Sequence, residues 1–201
     1  MGMTQALNNR ATEKGSAKQI LFDLQVEQHH HDENYHREIA RLSLHQRLNH
    51  MALHFCKYVG KVAAAETIEA SMPVFVDTLV IALSTANILN IELYDALDGG
   101  DHDYAGLPVF GRALAHKLGT SIEGQAELIN AMAIPAGKIA AACEKIDHLE
   151  DVAYRSEIKG GVACLAAISL ALLSTNGADP ADAVRSRLTS VKTRLKLHGW
   201  I

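Results

Sequence analysis

Histidine and carboxylate spacings are the first features of this chain that could do chemistry. His50 and His54 lie one helical turn apart, a spacing with which two imidazoles grip a transition metal, and His45 or a carboxylate from another helix would complete the site. Polar histidines on a partly exposed helix face are the competing reading. The run His29-His30-His31-Asp32-Glu33, with His36 just beyond it, offers further metal-binding side chains at what reads as a solvated helix start. Glu66 with Glu69, and Glu144 with Asp147, each place two acids one turn apart. Paired carboxylates are hard oxygen ligands of the kind that hold Mg2+ or Mn2+, although their position near predicted helix ends favours a solvated surface. Asp98, Asp101 and Asp103 lack the ligand spacing and terminal glutamate of a calcium loop and read as turn formers. Cys56 is close to His54 in sequence but points away from it on a helix, so nothing activates the thiol. There is no phosphate-binding glycine loop and no Ser-His-Asp signature.

These residues have to be positioned by helices. Residues 33–69 contain no proline and one glycine, and Leu44, Leu48, Met51, Phe55, Val59 and Val62 recur at three- and four-residue spacing, which predicts one long amphipathic helix. Pro73 suits the first turn of a second helix over 73–90, which carries no charge between Asp77 and Glu92 and should be buried on most sides. Residues 98–108 have the glycine, aspartate and proline content of a linker between a first half, 19–97, and a second half, 109–201. A short helix over 109–118 follows. Thr120-Ser-Ile-Glu123 then offers a capping box for a helix reaching Ile146, which Pro135 should kink or break. Residues 157–175 read as a second buried helix ended by Asn176-Gly177, and Asp179-Pro180 opens a last helix ending near Leu197. Leu79, Ile81, Leu83, Leu165, Ile168 and Leu172, from the two uncharged helices, are the expected central core.

The halves repeat. Gly60-Lys-Val-Ala-Ala-Ala65 returns as Gly137-Lys-Ile-Ala-Ala-Ala142, each late in a long helix and each followed by an uncharged one, and Asp95-Ala-Leu97 returns as Asp182-Ala-Val184. Such a duplication reads as a single all-α domain, residues 1–201, built as a fused pseudo-dimer around a four-helix core. A long helix with a central glycine, followed by Val76-Asp77-Thr-Leu-Val-Ile-Ala-Leu-Ser-Thr-Ala-Asn-Ile-Leu-Asn-Ile-Glu-Leu93, resembles the MazG-like branch of the all-α nucleotide pyrophosphohydrolases over residues 45–97, and more faintly over 121–188. The resemblance implies an oligomeric helical bundle that splits nucleoside triphosphates with magnesium held by Glu-x-x-Glu on one helix and Glu-x-x-Asp on the next. Here Tyr58 and Lys61 stand at the first pair, and of the second pair only Asp77 survives, with Val74 in the glutamate place. In the other half Ala136 and Lys138 flank the glycine, and Ala163 takes the approximate place of Asp77. A lysine repels magnesium rather than binding it.

The resemblance therefore implies a diverged protein whose metal-dependent triphosphate hydrolysis is weak, altered or lost. If activity survives, Asp77, Glu66 and Glu69 are the expected ligands for Mg2+ or Mn2+, and Lys57, Lys61 and Lys138 the expected phosphate contacts. A noncatalytic helical interaction or regulatory protein explains the lost carboxylates directly, and a metal protein built on His50 and His54 is a third reading. Composition limits the choice. Hydrophobic residues make up 48% of the 201, enough for a packed core, while aromatics are only 5% and alanine and leucine dominate, which favours helix. A net charge of −4 supplies no basic field for nucleic acid or anionic membrane, although eleven histidines make that charge sensitive to mild acid. Cys56, Cys143 and Cys164, far apart in apolar helical stretches, read as free buried thiols, and with a polar segment over 1–18 they suggest a cytoplasmic protein. Residues 160–178 approach membrane-spanning length, but their dense apolar part is short and reads as a core helix. A nucleotide and further copies of the same chain are the expected partners.

Overall fold

A computed structural model describes residues 15–97, 100, 102, 104–119 and 124–194. Among them there are nine α-helices and no strand. The first helix is one that apolar spacing does not announce. α1 (Ala17–Tyr35) starts at Ser16, whose hydroxyl accepts the Gln19 N–H, and buries Ala17, Leu21, Leu24, Gln25, Gln28 and His31. Half of that face is polar, so it needs partners. Gln25 donates to Asn87 Oδ1 and the Ile91 carbonyl at 3.1 and 2.9 Å and accepts from the Leu93 N–H at 2.8 Å, which locks α1 to the end of the uncharged helix.

The single helix expected over 33–69 is instead three segments. α1 ends at Tyr35, α2 (Arg37–Ala40) is one turn, and α3 (Leu44–Ala63) starts afresh at a reciprocal capping box between Ser43 and Gln46. That box satisfies orphan amides at the new start, which makes a fresh N-terminus there favourable. The histidine run thus occupies the last turns of α1, not a helix start. On α3, Leu48, Met51, Phe55 and Val62 are buried as expected and Leu44 is exposed.

After a 3-10 turn at Glu69–Ser71, α4 (Met72–Leu89) carries proline in its first turn and ends on Asn90 in the left-handed conformation, φ 51°. α5 (Leu93–Ala96) follows. Then come α6 (Leu107–Leu118), α7 (Gln125–Asp147), α8 (Tyr154–Thr175) and α9 (Pro180–Arg194). Pro135 does not break α7, which continues through it. Asp179 Oδ1 caps α9 by accepting from Ala181 N at 2.8 Å, and Gly177, at φ 79°, ends the preceding turn. The capping box at 120–123, the aspartates at 98, 101 and 103, the polar segment over 1–14 and the chain beyond 194 lie outside the described residues.

α3, α4, α7 and α8 form the centre: α3 packs on α4 and α7, and α8 on α4 and α7. α6 covers α8, while α1 and α9 cover α4. Leu79, Leu83, Leu165 and Ile168 are core residues as expected, whereas Ile81 and Leu172 are only partly buried. Helix approach explains some glycines and not others. A Cβ on Gly111 would overlap the Ser174 hydroxyl and lie 2.5 Å from the Leu170 carbonyl oxygen, and one on Gly161 would lie 2.6 Å from Ile139, so α6–α8 and α7–α8 contact require them. The repeated Gly60 and Gly137 have open space, and helix contact does not dictate them. Cys143 is buried, but Cys56 and Cys164 are exposed, because the apolar stretches that hold them still have an outer face. The segments Glu69–Leu89 and Tyr154–Thr175 are long and apolar enough to cross a membrane, and in this bundle both are mostly buried against other helices.

Candidate functional site

One stripe of α3 runs Arg47, His50, His54, Lys57 and Lys61, alternating three- and four-residue steps so that all five share a face. That stripe lines a cleft of about 430 Å³, large enough for a small nucleotide-sized molecule. The opposite walls come from Gln28, His31, Asp32 and His36 at the end of α1, Glu38 on α2, Asp77, Val80, Ile81 and Ser84 on α4, and Arg187, Leu188 and Val191 on α9. Met51, Val80, Ile81 and Leu188 give it an apolar floor between two polar ends.

The α3 end is cationic. Lys57 and Lys61 extend over the Tyr58 ring, with their ammonium groups 4.9 and 5.8 Å from its centre. Neither forms a salt bridge among the described residues, and Arg47 Nε is buried without a hydrogen-bond partner. Burial, and then the neighbouring Lys61 charge, hold Lys57 below the ordinary lysine value. Lys57 Nζ donates to His54 Nδ1 at 3.0 Å, which leaves the proton of neutral His54 on Nε2, facing His50 Nε2 at 3.1 Å. Burial, with Lys57 and His50 adding to it, pushes His54 down to about 4. His50 is lowered in the same way, chiefly by burial, and the Tyr58 phenol is raised by burial and by Asp77. Both imidazoles are therefore neutral near pH 7.

Asp77 is committed to another partner. Its carboxylate forms an ion pair with Arg187 of α9, accepting from Nε and, at 3.3 Å, from Nη2. Of the other sequence candidates, Lys57, Lys61, His50 and His54 come together here with Asp77. Glu66 and Glu69 do not: both are exposed beyond the end of α3, away from the cleft. Lys138 is exposed on α7 and lines no part of it. His45 turns to Asp147 of α7, with Nε2 2.7 Å from Oδ1, and so does not complete a site with His50 and His54.

The α1 end joins His31, Asp32 and His36, whose potential ligand atoms lie within 4.8 Å of one another. Asp32 is held by both oxygens, accepting from Gln28 Nε2 at 2.8 Å and Ser84 Oγ at 2.7 Å. His31 is buried with both ring nitrogens lacking a hydrogen bond of ordinary geometry; burial lowers its pKa and His36 adds to this, while Asp32 and then the Leu188 backbone oppose it. No family model, curated protein or solved structure matches the chain. Arg187, Arg47, Ser84 and Gln28 escaped sequence reasoning; the Ser84-Thr85 pair of hydroxyls inside an otherwise apolar stretch was a visible signal.

Proposed function

We propose that the chain is a diverged MazG-like protein whose cleft binds a phosphate-bearing molecule of nucleotide size through α3, with metal-dependent triphosphate hydrolysis weak, altered or lost. The observation that carries the reading is the three cations of the α3 stripe, Arg47, Lys57 and Lys61, none of which forms a salt bridge among the described residues. Lys57 and Lys61 repel each other, and an anion bridging them would relieve that repulsion while taking two charge-assisted hydrogen bonds. The apolar floor would take the less polar part of the ligand. Hydrolysis of the family kind needs several carboxylates on magnesium. Asp77 is already neutralised by Arg187, and Lys61 brings positive charge where a ligand would be needed. Packing of α3 on α7 and of α4 on α8 supports a duplicated bundle in which like helices meet across a pseudo-two-fold.

The test is a panel of nucleoside mono-, di- and triphosphates, read by thermal stabilisation of the protein and by pyrophosphate release with Mg2+ and with Mn2+. The proposal expects stabilisation by at least one phosphate ester, reduced in Lys57→Gln/Lys61→Gln, with pyrophosphate release near background. Stabilisation by none, or stabilisation unaffected by the double substitution, would refute it. Binding with no turnover at all would give the chain a noncatalytic, regulatory role.

A further inference from the structure

At the other end of the cleft, we infer that His31, Asp32 and His36 form a binding site for a single divalent transition ion of the zinc class, with one coordination position open to the cleft. The inference is independent of nucleotide binding. In an unbroken helix, residues five apart point about 140° away from each other, so His31 and His36 would diverge. The chain leaves the helix at His36, φ −132° and ψ 44°, and the His36 ring returns to 5.4 Å from that of His31. Asp32 completes the group from the same turn.

Burial supplies a second, independent observation. His31 is 8% exposed, and neither ring nitrogen has an ordinary hydrogen bond, although buried polar atoms are nearly always partnered. Gln28, 2% exposed and one turn earlier on α1, has an unpartnered amide oxygen as well, while its nitrogen holds Asp32. A metal on one His31 nitrogen, with the other towards the Leu188 backbone and a bound water donating to the Gln28 amide oxygen, would give these buried groups partners. The contacts to Asp32 are of the kind that orient a ligand, since Ser84 and Gln28 fix its two oxygens; the Glu38 carboxylate lies 3.6 Å from His36 Nδ1, an electrostatic neighbour rather than a hydrogen-bond partner.

Donor chemistry sets the ion. Two imidazoles and one carboxylate suit zinc, cobalt or ferrous iron rather than magnesium or calcium, and three protein ligands leave an open position. Bonds of about 2.0–2.1 Å place tetrahedral ligand atoms about 3.3 Å apart, so the three side chains have to close by about 1.5 Å at most, within the reach of small rotamer adjustments.

The experiment uses the full chain without an affinity tag, stripped with a chelator and titrated calorimetrically with Zn2+ alone, then with Co2+ alone while following its visible bands. The inference expects one equivalent bound and four-coordinate Co2+ bands. It expects affinity to fall at least about tenfold in His36→Gln, whose ring is partly exposed and should not disturb folding. Asp32→Asn, which keeps its shape, provides a second test and should also weaken binding. His29→Gln/His30→Gln removes neighbouring exposed imidazoles and should leave binding intact. The inference is overturned if the wild-type chain binds no stoichiometric ion, or if His36→Gln and Asp32→Asn both bind within twofold of wild type. Loss in the His29/His30 variant would show an unspecific histidine run, and loss only in His50→Gln/His54→Gln would assign the metal to α3; either overturns it.

Discussion

Asp77→Asn separates a structural role for Asp77 from a catalytic one, because the two predict different losses. The Asp77 and Arg187 side chains are 15% and 32% exposed, and the pair ties α9 to α4. Removing one partner of a fully buried pair costs about 3–5 kcal/mol, and an exposed pair contributes about 0.2–1 kcal/mol. This pair lies between those limits, and asparagine keeps one acceptor oxygen for Arg187. Asp77→Asn should therefore destabilise the fold by about 1–2 kcal/mol. The assay is urea unfolding of the wild type, Asp77→Asn, Arg187→Gln and the double variant, with m-values compared to confirm a two-state transition. The double-mutant cycle should return a coupling of about 1 kcal/mol, since each single change weakens the same interaction. A coupling near zero, with Asp77→Asn as stable as wild type, would refute the reasoning and return Asp77 to the ligand role that the family resemblance implies.

Three further outcomes follow from the packing and the charges. Leu79→Ala, at a fully buried side chain, should cost about 2–5 kcal/mol in urea unfolding, and a change below about 0.5 kcal/mol would place the residue outside the core. Gly111→Ala should destabilise by about 1–3 kcal/mol because the Leu170 carbonyl is backbone and cannot rotate away, whereas Gly160→Ala, in open space on α8, should stabilise by about 0.5–1 kcal/mol; equal effects would contradict the helix-approach argument. Stability should fall as pH drops from about 6.5 towards 4. In that window unfolded histidine takes up a proton that native His54, held down to about 4, does not, and His31 and His50 are shifted in the same direction. An NMR titration placing His54 near 6.5 in the folded chain would remove that contribution.

The legible parts of the fold were those with local causes. Pro73 and Asn90 bound α4 because proline and a left-handed asparagine act within a turn of themselves, and Asp179 caps α9 for the same reason. α1 was not legible, since Gln25, Gln28 and His31 make its buried face polar and its satisfaction depends on Asn87, Ile91 and Leu93 far along the chain. The break between α1 and α3 could have been read from Ser43-x-x-Gln46, a signal overridden by the continuous apolar spacing. For the cleft, the α3 stripe was written in the sequence residue by residue. Its meaning was not, because Arg187 reaches Asp77 from 110 residues away and His36 meets His31 only through a helix break.

The central claim is that the α3 lysines hold phosphate without a carboxylate-bound metal. Calorimetric titration of a nonhydrolysable nucleoside triphosphate into the chain, in chelator and again in Mg2+, tests it most directly. The account predicts binding in chelator that Mg2+ does not strengthen and that Lys57→Gln/Lys61→Gln weakens at least about tenfold, the equivalent of roughly 1.4 kcal/mol. Binding that appears only with Mg2+ and is lost in Asp77→Asn would contradict it.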